Sequence, residues 1–151
     1  MEAGQAVNII RRLRHDFGNY LQVILGYIDL GQPQQAREYI LKVVEELAEG
    51  RYIFESQDNE AALFFFEQLL KARDLGIILR YKEINIKKWG LLKERNEPIK
   101  TLSSLSSQFE GWGDNIKVNL SLNSSGNKVK MLFEWQQPQA GQLEGIIEEL
   151  E

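Results

Sequence analysis

The chain holds a single histidine, His15, and no cysteine. Imidazole chemistry therefore rests on one side chain. Near neutral pH an imidazole keeps a lone pair on one ring nitrogen and can act as a nucleophile, for instance toward phosphorus. Arg14 and Asp16 are its direct neighbours, Arg11 and Arg12 precede it by about a turn, and Asn19 and Gln22 follow. One histidine and no cysteine exclude disulfides, thiolate or His-rich metal sites and any catalytic pair of histidines. The adjacent acidic pairs Glu45-Glu46 and Glu148-Glu149 read as solvated faces rather than acid/base pairs. No serine sits in a nucleophile elbow. A lone surface histidine is more often a solvated side chain than a reactive one, and Arg11, Arg12 and Arg14 serve solubility as readily as chemistry. The element that carries His15 has to decide.

That element is an expected helix from about Ala6 to Leu30. Ile10, Leu13, Phe17, Tyr20, Ile24 and Tyr27 recur at alternating spacings of 3 and 4, a heptad seam. With Leu13 at position d and Phe17 at a, His15 falls at f, farthest from the seam. Arg11, His15, Asn19 and Gln22 then share one outward face. Asp16 falls at g, within reach of Arg12. Gly31 and Pro33 are stop and start signals, and a second helix is predicted over about Pro33–Phe54, with Ala36, Ile40, Val43 and Leu47 on one stripe. So short a connection makes the two helices antiparallel neighbours. A lone hairpin leaves a seam open, so a homodimer closing into a four-helix bundle is expected, with Leu13, Phe17, Leu21, Ile24 and Ile28 as interface candidates. Gly18, costly inside a helix by up to about 1 kcal/mol relative to alanine, leaves room for a partner or serves local packing.

Beyond a polar linker at 56–60, a third helix is predicted over about Asn59–Leu75, ending near Gly76, and a strand over Ile77–Ile86. Lys87–Arg95 is ambiguous, with one short helical turn the best reading. Glu97–Phe109 reads as a helix with Pro98 in its first turn. IKVNLSLN and KVKMLFEW read as a strand hairpin around Ser124-Ser125-Gly126-Asn127. Gln142–Glu151 reads as a short acidic helix. The fold class is α+β: a helical hairpin over 1–56, then a small α/β sandwich of three strands over 57–151. A formal charge of -4 and a pI near 5.2 argue against nucleic acid as the main partner. No apolar run approaches a membrane span and no signal peptide is recognisable, so the cytoplasm is the expected compartment. Trp89, Trp112 and Trp135 are expected to be packing residues.

The string RRLRHDFGNYLQVILGYIDLGQPQQAREYI resembles the phosphoacceptor hairpin of the sporulation-type sensor histidine kinases, a group that takes in citrate and malate sensor kinases and sporulation initiation phosphotransferases. The matching positions are Arg14, His15, Asp16, Asn19, Leu21, Gln22, Gly26, Leu30, Gly31, Ala36, Glu38, Tyr39 and Ile40. The resemblance implies a hairpin that dimerises, with His15 as the residue that carries the phosphoryl group. It implies supporting roles for Arg14 in holding phosphoryl charge and for Asp16 in orienting the ring. Asn19 stands where such kinases have a residue linked to phosphatase activity.

In those kinases an ATP-binding domain follows. AALFFFEQLLKARDLGIILRYKEINI resembles its first helix and strand, and there the resemblance ends. The next helix, EPIKTLSSLSSQFE, lacks the Asn-rich box, apart from Asn96 just before it. The Asp-x-Gly-x-Gly segment and the Gly-rich lid have no counterpart. Gly111, Gly113 and Gly126 are isolated turn glycines. The resemblance thus points to a reduced, kinase-like domain and to a phosphorelay phosphotransferase rather than an autokinase. It would pass a phosphoryl group between the aspartates of response-regulator receiver domains through His15, with no cofactor of its own and Mg²⁺ supplied by the receiver. The alternative is a degenerate sensor-kinase-like module that binds or inhibits a receiver or kinase without transfer.

Overall fold

The computed structural model describes residues 3–113 and 115–148. The chain divides into two compact units, Met1–Gly50 and Arg51–Glu151. The predicted hairpin is present as α1 (Ala3–Asp29) and α2 (Pro33–Ser56). Its turn is built as the sequence requires. Gly31 takes a left-handed φ of 69°, which costs glycine little. The Gln32 N–H then reaches back to the Tyr27 carbonyl (2.8 Å) and the Gly31 N–H to that of Ile28 (3.0 Å). This reciprocal pair satisfies carbonyls that the end of α1 would leave unpartnered. Pro33, with no N–H to satisfy, opens α2, and the Gln32 carbonyl accepts the first α2 bond, from the Ala36 N–H at 3.2 Å.

Within the hairpin Ile9 and Ala36 are buried. Tyr39 packs against Tyr20 and Tyr27, with ring centroids 6.4 and 6.3 Å away. The predicted seam is shared between two stripes. Leu13, Tyr20, Ile24 and Tyr27 are half-buried, whereas Ile10, Phe17, Leu21 and Ile28 are exposed, and so are Ile40, Val44 and Leu47 on α2. One antiparallel neighbour can cover only one stripe of a helix, so the rest of a broad apolar face stays open.

The second unit begins inside α2. Ile53 is fully buried, the Phe54 ring packs tilted against Phe66 with centroids 5.2 Å apart, and the Tyr52 hydroxyl accepts the Ile84 N–H at 2.9 Å. There follow α3 (Asn59–Asp74), β1 (Ile77–Asn85), α4 (Gly90–Arg95), α5 (Ile99–Gln108), β2 (Ile116–Ser125), β3 (Lys128–Trp135) and β4 (Gly141–Glu148). Asp58 caps α3, its carboxylate accepting the Ala61 N–H at 3.0 Å. The sheet order is β1-β2-β3-β4. β1 and β2 are parallel, joined by the α4–α5 crossover, and β2, β3 and β4 form an antiparallel meander. The core holds Phe65 and Leu69 of α3, Leu102 of α5, and Leu79, Val118, Leu120, Leu122 and Phe133 of the sheet. Its buried polar groups are satisfied. Gln68 Oε1 accepts the Ile99 N–H at 2.8 Å, Glu97 accepts both the backbone N–H and the hydroxyl of Thr101, and the Tyr81 hydroxyl donates to the Phe65 carbonyl at 3.1 Å. Burial raises the Tyr81 pKa well above the ordinary tyrosine value.

The ambiguous segment 87–95 contains the short helix α4, and the sheet has four strands rather than the expected three. The fourth is a correction. The segment predicted as an acidic helix, Gln142–Glu151, is strand β4 as far as Glu148, and residues 149–151 lie outside the described part of the chain. The acidic composition suggested a helix, but the partner decides. β3 offers an open edge, Lys128 and Lys130 pair across it with Glu148 (3.0 Å) and Glu144 (3.2 Å), and Ile147 is buried. Glycine fits this strand for a specific reason. A Cβ on Gly141 would lie 2.5 Å from the Trp135 ring, and that ring is itself packed edge-on against Phe109 at 5.1 Å. Trp112 and Trp89 are likewise in ring contact, with Phe109 and Phe64.

Gly141→Ala forces a methyl group into a ring that cannot move freely. It should destabilise the chain by about 1–3 kcal/mol, read from the midpoint of chemical denaturation followed by tryptophan fluorescence.

Candidate functional site

His15 lies in the middle of α1, and its side chain is 71% exposed. The heptad register expected position f to face away from the hairpin, and it does. Nδ1 is engaged with groups of the same helix: Asp16 Oδ1 stands 3.5 Å away, and Asn19 Nδ2 lies at the same distance. No described residue bonds Nε2. Asp16 is turned toward the hairpin, with its side chain 19% exposed, and its other oxygen takes an ion pair from Arg12 Nε at 3.2 Å. Arg11, Arg14, Asn19 and Gln22 are exposed.

Of the site residues expected from sequence, the structure therefore gathers His15, Asp16 and Asn19. Arg14 is close in sequence but makes no hydrogen bond or ion pair with a described residue, so its guanidinium is available to an incoming anion. Gly18, on the same exposed side, has open space where a Cβ would be, so no packing within the chain explains the glycine.

This arrangement can present a nucleophilic nitrogen. An imidazole carries its proton on one ring nitrogen in the neutral form, and the partner of that nitrogen fixes the tautomer. A carboxylate beside Nδ1 favours the Nδ1–H form, which leaves the Nε2 lone pair facing solvent. The Asn19 amide is placed with Nδ2, an N–H donor, toward the same nitrogen, and it supports the Nδ1–H form only when the amide turns its oxygen there instead.

The helix behind the site is held in register by a contact that the sequence did not single out. The Tyr20 hydroxyl donates to Glu46 Oε2 at 3.1 Å, tying α1 to α2 little more than a turn beyond His15. Nothing in the local sequence signals a pair 26 residues apart. On the α2 side, burial first, then the charge of Glu46 and the neighbouring Tyr27, raise the pKa of Tyr39.

Elsewhere, the second unit carries an open depression lined by Arg95, Lys100, Lys128, Glu97, Thr101 and Glu148, among others. Charges of both signs line it, and its two acids are already engaged, Glu97 with Thr101 and Glu148 with Lys128. Among the described residues no group of three or more His, Asp or Glu side chains could hold a metal ion, and no helix is long and apolar enough to cross a membrane.

Residues 1–56 match the family model described as the sensor kinase SpoOB-type, alpha-helical domain. The match covers α1, the Gly31 turn and α2 to its last residue. No curated protein matches the chain. Over these residues, 56 of the 151, the hairpin is similar to a domain family linked to two-component phosphotransfer signalling.

Tyr20→Phe removes the interhelical hydrogen bond and leaves the ring packing. The expected loss is about 0.5–1.5 kcal/mol, measured by urea denaturation followed by circular dichroism at a helix wavelength.

Proposed function

We propose that this SpoOB-type hairpin makes the chain a phosphorelay histidine phosphotransferase, with His15 as the residue that carries the phosphoryl group. The observation that carries the reading is the exposure of His15 on a SpoOB-type helix, with Nδ1 turned to Asp16 and Nε2 left toward solvent. The donor is the aspartyl phosphate of a response-regulator receiver domain, which brings its own Mg²⁺. Nε2 attacks phosphorus in line, the N–P bond forms as the acyl P–O bond breaks, and the electron pair leaves with the receiver carboxylate. The Nδ1 proton stays on the ring, and Asp16 faces the resulting positive charge. Transfer to a second receiver reverses these bond changes. Phosphoryl transfer depends mainly on positioning and on neutralising charge, and Arg14 is placed to meet the phosphoryl oxygens. Asn19, beside the ring, is suited to orienting either the imidazole or a water.

The working form in this reading is a homodimer. Ile10, Phe17, Leu21 and Ile28 on α1, with Ile40, Val44 and Leu47 on α2, are exposed at heptad-like spacing, and such a stripe buries best against a second copy of the same hairpin. His15 faces away from that stripe, so dimerisation leaves it accessible. Transfer of this kind needs no ATP, in keeping with a second unit whose sequence lacks the Asn-rich box and the Gly-rich segments of the kinases.

Two outcomes are expected. Incubation with a phosphorylated receiver domain, without ATP, labels the wild-type chain and leaves His15→Ala unlabelled. Label that persists in His15→Ala sinks the reading, and a receiver that binds without transferring supports an interaction module instead. Separately, Leu21→Glu places a charge in the open stripe and should shift the chain from dimer to monomer in sedimentation velocity. A wild-type chain that sediments as a monomer at tens of micromolar contradicts the dimer.

A further inference from the structure

The contact between His15 and Asp16 is one that helix geometry does not provide by itself. Consecutive residues project about 100° apart around an α-helix, so side chains at i and i+1 do not face each other. Yet Asp16 Oδ1 stands 3.5 Å from His15 Nδ1. Something must hold the carboxylate there. An unrestrained aspartate at a helix surface would gain rotamer freedom by swinging out into water. The other carboxylate oxygen is held by Arg12 Nε at 3.2 Å, one turn earlier, where i and i+4 side chains do meet. Both partners of this pair are partly shielded, with side-chain exposures of 31% for Arg12 and 19% for Asp16. The pair is therefore less screened than an ordinary surface ion pair.

We propose that Arg12 is a positioning residue for His15: it anchors Asp16, so that the carboxylate holds the imidazole by Nδ1 and leaves Nε2 as the presented nucleophile. The inference rests on the reading of His15 as the phosphoacceptor and adds a residue to it. Arg12 does not touch the phosphoryl group. Its work is done before transfer, by fixing one tautomer and one ring orientation, much as an outer partner fixes the ring of a metal-bound histidine. The planar guanidinium gives a directional contact, and a lysine in its place keeps the charge with a less defined geometry.

The experiment uses the full chain with four variants: Arg12→Gln, Arg12→Lys, Asp16→Asn and the Arg12→Gln/Asp16→Asn pair. Circular dichroism verifies that each remains helical. Ring ¹⁵N chemical shifts of His15 report the tautomer, and the rate of His15 phosphorylation is followed with two donors, phosphoramidate and a phosphorylated receiver domain. Wild type should favour the Nδ1–H tautomer. Arg12→Gln should lose that preference and slow phosphorylation by about ten-fold, and Arg12→Lys should recover most of both. In the Asp16→Asn background Arg12→Gln should have no further effect, the signature of two residues acting through one contact. The inference is overturned if Arg12→Gln leaves the tautomer and the rates unchanged, or if it slows phosphorylation by the same factor with and without Asp16. A wild-type chain that takes no phosphoryl group from either donor refutes the phosphoacceptor reading itself, while the ring shifts still judge Arg12.

Discussion

The constraint behind this molecule is rotational: an α-helix that buries one stripe must turn the opposite stripe to solvent, and His15 stands on the turned-out side. α1 commits its half-buried residues, Leu13, Tyr20, Ile24 and Tyr27, to the hairpin. That commitment fixes the azimuth of every other residue on the helix, and His15 comes out 71% exposed. The Gly31 turn and the Tyr20–Glu46 bond matter because they hold α2 in the register that keeps this azimuth. A reactive imidazole needs little else from a scaffold. It needs access for a bulky partner, one ring nitrogen engaged and the other free, and charge nearby to meet the phosphoryl oxygens.

The rigidity of the arrangement comes from short-range pairs rather than from a cavity. Arg12 and Asp16, and His15 and Asn19, are each one turn apart on one helix. A site built on a single helix is defined wherever the helix is, and it can meet receivers as a surface rather than as a pocket. The same logic suits the proposed relay, in which the phosphoryl group has to be passed on and neither donor nor acceptor can be enclosed. The second unit, with its satisfied core of Gln68, Glu97 and Tyr81, is a separately packed body.

Much of the first unit was legible in the sequence because its signals are local. The heptad spacing, Gly31 and Pro33 give the hairpin, and the register gives the outward face of His15. The i, i+4 relation gives Arg12–Asp16. Two features were not legible there. The apolar residues of α1 form a band wider than one neighbour can cover, and periodicity cannot tell which of them meet α2 and which stay open. Leu13 and Phe17 sit on the same predicted seam, yet one is half-buried and the other exposed. The Tyr20–Glu46 bond joins residues far apart in sequence and leaves no trace in either segment. In the second unit, β4 was missed because its composition favours a helix while the choice lies with β3: the lysines that pair with Glu144 and Glu148, and the Trp135 ring that fits over Gly141, belong to another strand.

The central claim is that the exposed Nε2 of His15 accepts and releases a phosphoryl group. It is tested most directly by ¹H–³¹P correlation spectroscopy of the intact chain after incubation with a phosphorylated receiver domain. The account predicts a single phosphoramidate resonance coupled to both ring protons of His15, as bonding at Nε2 requires, which disappears when an unphosphorylated receiver is added. A chain that shows no phosphorus resonance, or one coupled to any residue other than His15, contradicts it.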